Sequence, residues 1–228
     1  MGHLLLVRHG QASFGAADYD VLSEQGWEQG RALGTWLRER EITPTAVVHG
    51  GMRRHRETAQ AMRETAQWDD LVVTDDPGWD EFDHVGLVGG HPDLKDAADH
   101  SAVDRRRFQE IFEEVTARWV AGEQAGAVES YADFLLRVRG SFERAMAVCG
   151  SGETVVVVSS GGPIAAVAAS LVDPTAVDDQ AALARLWAHF NTVMVNSSYT
   201  RVLVGSTGAR LLTFNEHHHL GGDRISYR

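Results

Sequence analysis

Strand-like apolar runs alternate with helical patterns along most of the chain, and this alternation narrows the fold more than any other feature. Strand signals fall at residues 4–7, 45–49, 71–74, 154–159, 199–205 and 210–214, and helical periodicity at 23–40, 54–67, 104–121, 130–149, 163–172 and 179–189. Such alternation predicts an α/β fold: a three-layer α/β/α sandwich with a mainly parallel central sheet covered on both faces. With 228 residues, one large domain over residues 1–228 is expected. Residues 77–103 are rich in Gly, Asp and His without clear periodicity, which predicts a long loop region near the site. The domain is accordingly expected to carry a loop and helical insertion around residues 77–150.

The first apolar run, Leu4-Leu5-Leu6-Val7, leads straight into Arg8-His9-Gly10. Reactive groups at the carboxyl end of a buried strand sit where open α/β folds bind ligands. Gly10 has no Cβ, so the backbone can turn sharply and an anion can come close. Arg8 offers a planar fork of donors that matches phosphate oxygens. His9 is the side chain that can be neutral and nucleophilic near neutral pH without a large pKa shift. Together these residues have the chemistry of a phosphate site, although a short tripeptide also fits an ordinary turn.

Bulk properties exclude some partners. A formal charge of −11 argues against general nucleic-acid or anionic-membrane binding, which usually needs a basic face. The cluster Arg105, Arg106 and Arg107 reads as a solvated helix face, and Arg53, Arg54 and Arg56 as a phosphate-binding candidate. The single cysteine, Cys149, cannot form an internal disulfide, which fits a reducing, cytoplasmic setting. The N-terminus lacks the form of a signal peptide. Residues 154–172 are uncharged, but Ser159-Ser160-Gly161-Gly162-Pro163 divides them into a buried strand and a small-residue helix rather than a membrane span.

Five segments carry a resemblance. Leu4-Leu5-Leu6-Val7-Arg8-His9-Gly10-Gln11 has the form of the opening motif of the histidine phosphatase superfamily, also called phosphoglycerate mutase-like. Leu22-Ser23-Glu24-Gln25-Gly26-Trp27-Glu28-Gln29-Gly30 is similar to that family's capped helix after the first loop, with Ser23 as the cap. Met52-Arg53-Arg54-His55-Arg56-Glu57-Thr58-Ala59 resembles the segment with the second phosphate-binding arginine, and the pattern selects Arg54, four residues before Thr58. Trp79-Asp80-Glu81-Phe82 resembles the stretch with the acidic proton donor, and Val155-Val156-Val157-Val158-Ser159-Ser160-Gly161-Gly162-Pro163-Ile164 the late strand, turn and helix.

The resemblance implies a phosphoglycerate mutase-like fold and a phosphomonoesterase of the histidine acid phosphatase type, acting on a small phosphorylated metabolite with no cofactor and no metal. His9 is then the nucleophile and Glu81 the acid, while Arg8, Arg54, Gln11, Ser160 and Gly161 bind substrate. A departure stands at Ser160, where many members carry a second catalytic histidine. Ser160 itself can cap the following helix, contact the ligand, or both. His219 is a further candidate to replace that histidine in space. The run His217-His218-His219 is a poor metal site, because adjacent histidines on an extended chain point in alternating directions. Two alternatives stay open: phosphoglycerate mutase-type phosphoryl transfer, and a noncatalytic module that binds a phosphorylated ligand. Specificity is expected from residues 11–21 and 77–103. The chain is expected to bind neither nucleic acid nor membrane, and pairing into a homodimer is left open.

Overall fold

The computed structural model describes residues 1–13, 20–95, 105–123 and 127–227. Residues 14–19 of the expected specificity segment, and residues 96–103 of the expected loop, lie outside them. Within the described residues the chain forms strands β1 (Gly2–Arg8), β2 (Ala46–His49), β3 (Val73–Asp75), β4 (Thr154–Ser159), β5 (Tyr199–Gly205) and β6 (Gly208–Glu216). The helices are α1 (Glu24–Glu39), α2 (Arg53–Ala66), α3 (His84–Gly89), α4 (Pro92–Lys95), α5 (Arg105–Val120), α6 (Tyr131–Ala147), α7 (Gly161–Val172) and α8 (Gln180–Thr192).

Two compact units result: Met1–Asp80 with Val138–Arg228, and Glu81–Arg137. The first holds one sheet in the order β3-β2-β4-β1-β5-β6. β3, β2, β4 and β1 pair in parallel, while β5 and β6 are antiparallel. This is the mainly parallel α/β sheet that the sequence predicts, with every strand signal realised. Burial explains its order. The unbroken apolar runs of β1 and β4 lie at the centre, where both faces are covered, whereas β6 alternates between exposed and partly buried positions.

Leu5 and Val7 of β1, Val47 of β2 and Val156 and Val158 of β4 pack with Leu33, Leu37, Ala59 and Met62 of α1 and α2. α7 packs on β1 and β6, and α8 on α7. Ser23 caps α1 as expected, its hydroxyl accepting the Gly26 amide at 3.1 Å. No helix among the described residues is long and apolar enough to cross a membrane.

Over the described residues 77–95 the expectation of a long loop is corrected. A 3-10 turn over Pro77–Trp79 ends the first unit's share, and α3 and α4 follow. Asp83 caps α3 by accepting the Gly86 amide at 2.8 Å. Phe82 stacks on Trp119 with ring centroids 4.7 Å apart, and the Trp119 indole N–H donates to the Glu129 carbonyl at 2.7 Å. Arg106 and Arg107 are exposed and pair with Glu110, the solvated face expected of them.

Candidate active site

Register builds the site. β1 and β4 run in parallel to the pair Arg8 and Ser159, and the His9 amide donates to the Ser159 carbonyl at 2.9 Å. His9 and Ser160 therefore leave the carboxyl edge side by side. β2 ends beside β4 with His49 opposite Val158, and Gly50-Gly51-Met52 leads into α2. Three neighbouring strand ends thus bring together the His9 turn, the start of α7 and the first turn of α2.

His9 is buried, and its Nδ1 lies 2.7 Å from the Gly10 carbonyl oxygen. A carbonyl only accepts, so Nδ1 carries the proton and Nε2 keeps its lone pair. Burial pushes the His9 pKa well below its ordinary 6.5, and the charges of Arg54, Arg8 and His55 push it further. The imidazole is accordingly neutral at physiological pH, with an available nucleophilic nitrogen. The turn is fixed from below: the Gly10 amide donates to the Thr58 hydroxyl at 2.9 Å, and that hydroxyl donates to the Arg54 carbonyl at 2.7 Å.

The two expected arginines flank His9 in different states. Arg54 is almost fully buried in the first turn of α2, and its Nη1 donates to Asp20 Oδ1 at 2.7 Å. Asp20 also accepts the Arg53 amide at 2.7 Å, tying its segment to the start of α2. Arg8 is half-buried and donates from Nη1 to the carbonyls of Met194 and Tyr227, the latter at 3.1 Å. Part of its fork is therefore given to the backbone. Arg53 and Arg56 are exposed: Arg53 pairs with Glu57, and Arg56 donates to the Gly51 carbonyl.

Gln11 lies beside the turn. Its amide donates to Gln29 Oε1 and its side-chain oxygen accepts from the Ser23 hydroxyl, both at 2.9 Å. Gly161 opens α7 beside Asn191 and the Arg8 guanidinium. Glu81 belongs to the second unit, where its carbonyl accepts from Arg137 at 3.3 Å and its Oε1 from the Phe82 amide at 3.2 Å.

Ser160 and His219 depart from expectation. Ser160 occupies the N-cap position of α7, yet its side chain makes no cap hydrogen bond. Its Oγ lies 2.7 Å from Nε2 of His55, a fully buried histidine of α2 that sequence reasoning passed over. Asp80 Oδ1 stands 3.6 Å from the other ring nitrogen of His55, and the His55 and His9 ring centroids are 5.7 Å apart. His219 instead packs against Trp36 and Tyr199, with centroids 6.4 and 6.1 Å away. The imidazole beside Ser160 is that of His55, and this corrects the idea that His219 fills the place. The signal in the sequence was a histidine set between Arg54 and Thr58 in a chain with a serine at position 160. Among the described residues no cluster of three or more metal-ligating side chains is found.

A profile of the histidine phosphatase superfamily (branch 1) matches residues 4–216. No match is found among curated proteins. Among solved structures, the mycobacterial glucosyl-3-phosphoglycerate phosphatase Rv2419c with VO3 is similar at 26% identity and a TM-score of 0.64, over 94% of this chain and 99% of that one. Bacillus stearothermophilus YhfR is similar at 20% identity and a TM-score of 0.66, over 95% and 98%. The alpha-ribazole phosphatase from Shigella flexneri is similar at 19% identity and a TM-score of 0.63, over 94% and 96%.

Proposed function

Because the chain belongs to the histidine phosphatase superfamily, branch 1, we propose that it hydrolyses a phosphomonoester of a small metabolite through a phosphohistidine on His9. The observation that carries this reading is the state of His9: neutral, with its Nδ1 proton donated to the Gly10 carbonyl, and flanked by Arg54 and Arg8. Two of the similar structures are named as phosphatases, which supports hydrolysis. The acidic charge of −11 favours a small substrate over nucleic acid, and the lone cysteine favours a cytoplasmic setting.

His9 Nε2 forms a bond to phosphorus as the ester P–O bond breaks, and the leaving alkoxide takes the carboxyl proton of Glu81. Glu81 then accepts a proton from water as the water oxygen bonds to phosphorus and the P–N bond breaks. Phosphate leaves and His9 is neutral again. Arg54 and Arg8 stabilise the charge spread over the nonbridging oxygens, Arg54 by exchanging Asp20 for the phosphoryl group.

The test is phosphate release from a panel of phosphomonoesters with chelator present. The native chain is expected to release phosphate, and His9→Ala to lose about 10⁴-fold or more of that rate. Native-like release by His9→Ala, or none from the native chain, overturns the reading. Glu81→Gln is expected to slow alkyl esters by about 10²-fold or more and to spare aryl esters, whose leaving group needs no proton. Equal losses on both ester classes would remove Glu81 as the acid.

A further inference from the structure

We propose that His55 and Ser160 act as one phosphoryl-recognition unit, in which His55 is a positioning residue that turns the Ser160 hydroxyl proton toward a phosphoryl oxygen held at His9. The inference rests on the reading of this edge as a phosphoryl site. Two independent observations carry it. The first is the diverted cap: a serine at an N-cap ordinarily accepts an amide of the first helical turn, whereas Ser160 gives its side chain to His55 at 2.7 Å. The second is the setting of His55, which is fully buried between that hydroxyl and the Asp80 carboxylate, 3.6 Å from Nδ1.

A gap in the wall supports the arrangement. A Cβ on Gly50 would lie 2.3 Å from His55 Nδ1 and 2.7 Å from Asp80 Oδ1, so the missing side chain is what lets the two face each other. Asp80 is itself held by the Met52 amide at 3.2 Å.

The proton count decides what the pair presents to an anion. A serine hydroxyl has one proton. When His55 Nε2 is bare, that proton points into the imidazole, and the hydroxyl has only lone pairs to offer an anion. When Nε2 is protonated, it donates to Oγ and frees the hydroxyl proton for a phosphoryl oxygen. Nδ1 then carries its own proton toward Asp80, so the ring is an imidazolium beside a carboxylate. A bound phosphoryl group selects this second state, because it alone supplies a donor backed by positive charge. The same charge helps to keep His9 neutral.

The experiment is a double-mutant cycle read as affinity for inorganic phosphate by isothermal titration. His55→Ala and Ser160→Ala are each expected to weaken binding by about 10-fold or more. If His55 acts through Ser160, the double variant is no more than about twofold weaker than the poorer single variant. Losses that multiply, or native affinity in His55→Ala, overturn the proposal. His55→Gln fills the space and keeps a neutral donor, so it carries the test if His55→Ala does not fold; it is expected to bind phosphate several-fold more weakly than the native chain, and native affinity in this variant overturns the role of charge. The cycle needs no turnover. A chain that binds phosphate and hydrolyses no ester counts against His9 as nucleophile and leaves the cycle to decide on His55.

Discussion

The proposed nucleophile, His9, can attack only while neutral, and its surroundings oppose protonation by burial first and by nearby charge second. The acidic limb of its rate profile is therefore expected below pH 6.5, the ordinary value for the group. The same physics makes stability depend on pH. Burial, aided by the charges of His217 and His218, lowers the His219 pKa to about 4. As pH falls through 6.5 the unfolded chain takes up protons that native His9 and His219 refuse, so stability is fully present above 6.5 and declines below it. Between about pH 6.5 and 4.5 His219 alone accounts for roughly 2 to 3 kcal/mol of that decline. His219→Leu keeps an apolar group against Trp36 and Tyr199 and is expected to flatten the fall in urea midpoint between those pH values. An unchanged slope would refute the assignment. Residues such as His9 and Ser160 were legible because each follows a recognisable strand end. His55 was not: in Arg53-Arg54-His55-Arg56 any of four polar side chains could turn inward, and the choice depends on how α2 leaves β2.

At the scale of elements the strand signals were legible because central strands of a parallel sheet are continuously apolar, as in Val155-Val156-Val157-Val158. α3 and α4 escaped for the opposite reason: with 6 and 4 residues, neither is long enough to display a helical period. The contact between α1 and α2 needs small residues as well as the apolar ones of the core. A Cβ on Gly34 of α1 would lie 2.1 Å from the Met62 carbonyl oxygen and 2.3 Å from the Thr65 hydroxyl oxygen. The carbonyl is backbone and cannot rotate away, so Gly34→Ala must push the helices apart. A loss of about 1 to 3 kcal/mol is expected from calorimetric or denaturant unfolding. Gly89→Ala, where the added carbon would meet nothing within 4 Å, is the control and is expected to stay within about 0.5 kcal/mol of the native chain. If both variants unfold alike, close helix approach is not what Gly34 provides. Because α2 carries Arg54, His55 and Thr58, the packing of α1 also sets the position of the site.

At the scale of the whole chain, the His9 turn is held by residues nearly two hundred positions away, a linkage that no local pattern announces. Gln29 of α1 is fully buried, accepting the Gln11 amide at 2.9 Å and donating to the Arg224 carbonyl at 2.6 Å and the Ser226 hydroxyl at 2.9 Å. Ser226 in turn donates to Asn196 Oδ1 at 3.0 Å, and Asn196 Nδ2 donates to the His9 carbonyl at 3.3 Å. The Tyr227 carbonyl accepts from Arg8, so the same tail also restrains a proposed phosphate ligand. One buried amide thus ties both sides of His9 to the C-terminal segment. Gln29→Leu keeps the volume but leaves the Gln11 amide and the Arg224 carbonyl without this partner, at a cost of about 1 to 3 kcal/mol. The cost should be unevenly shared. Amide hydrogen exchange is expected to rise at Gln11 and over residues 222–227 while the central strands β1 and β4 stay protected, and kcat is expected to fall at temperatures where the chain is fully folded. If exchange instead rose uniformly across the sheet, Gln29 would be a general core residue and the tail would have no particular hold on His9.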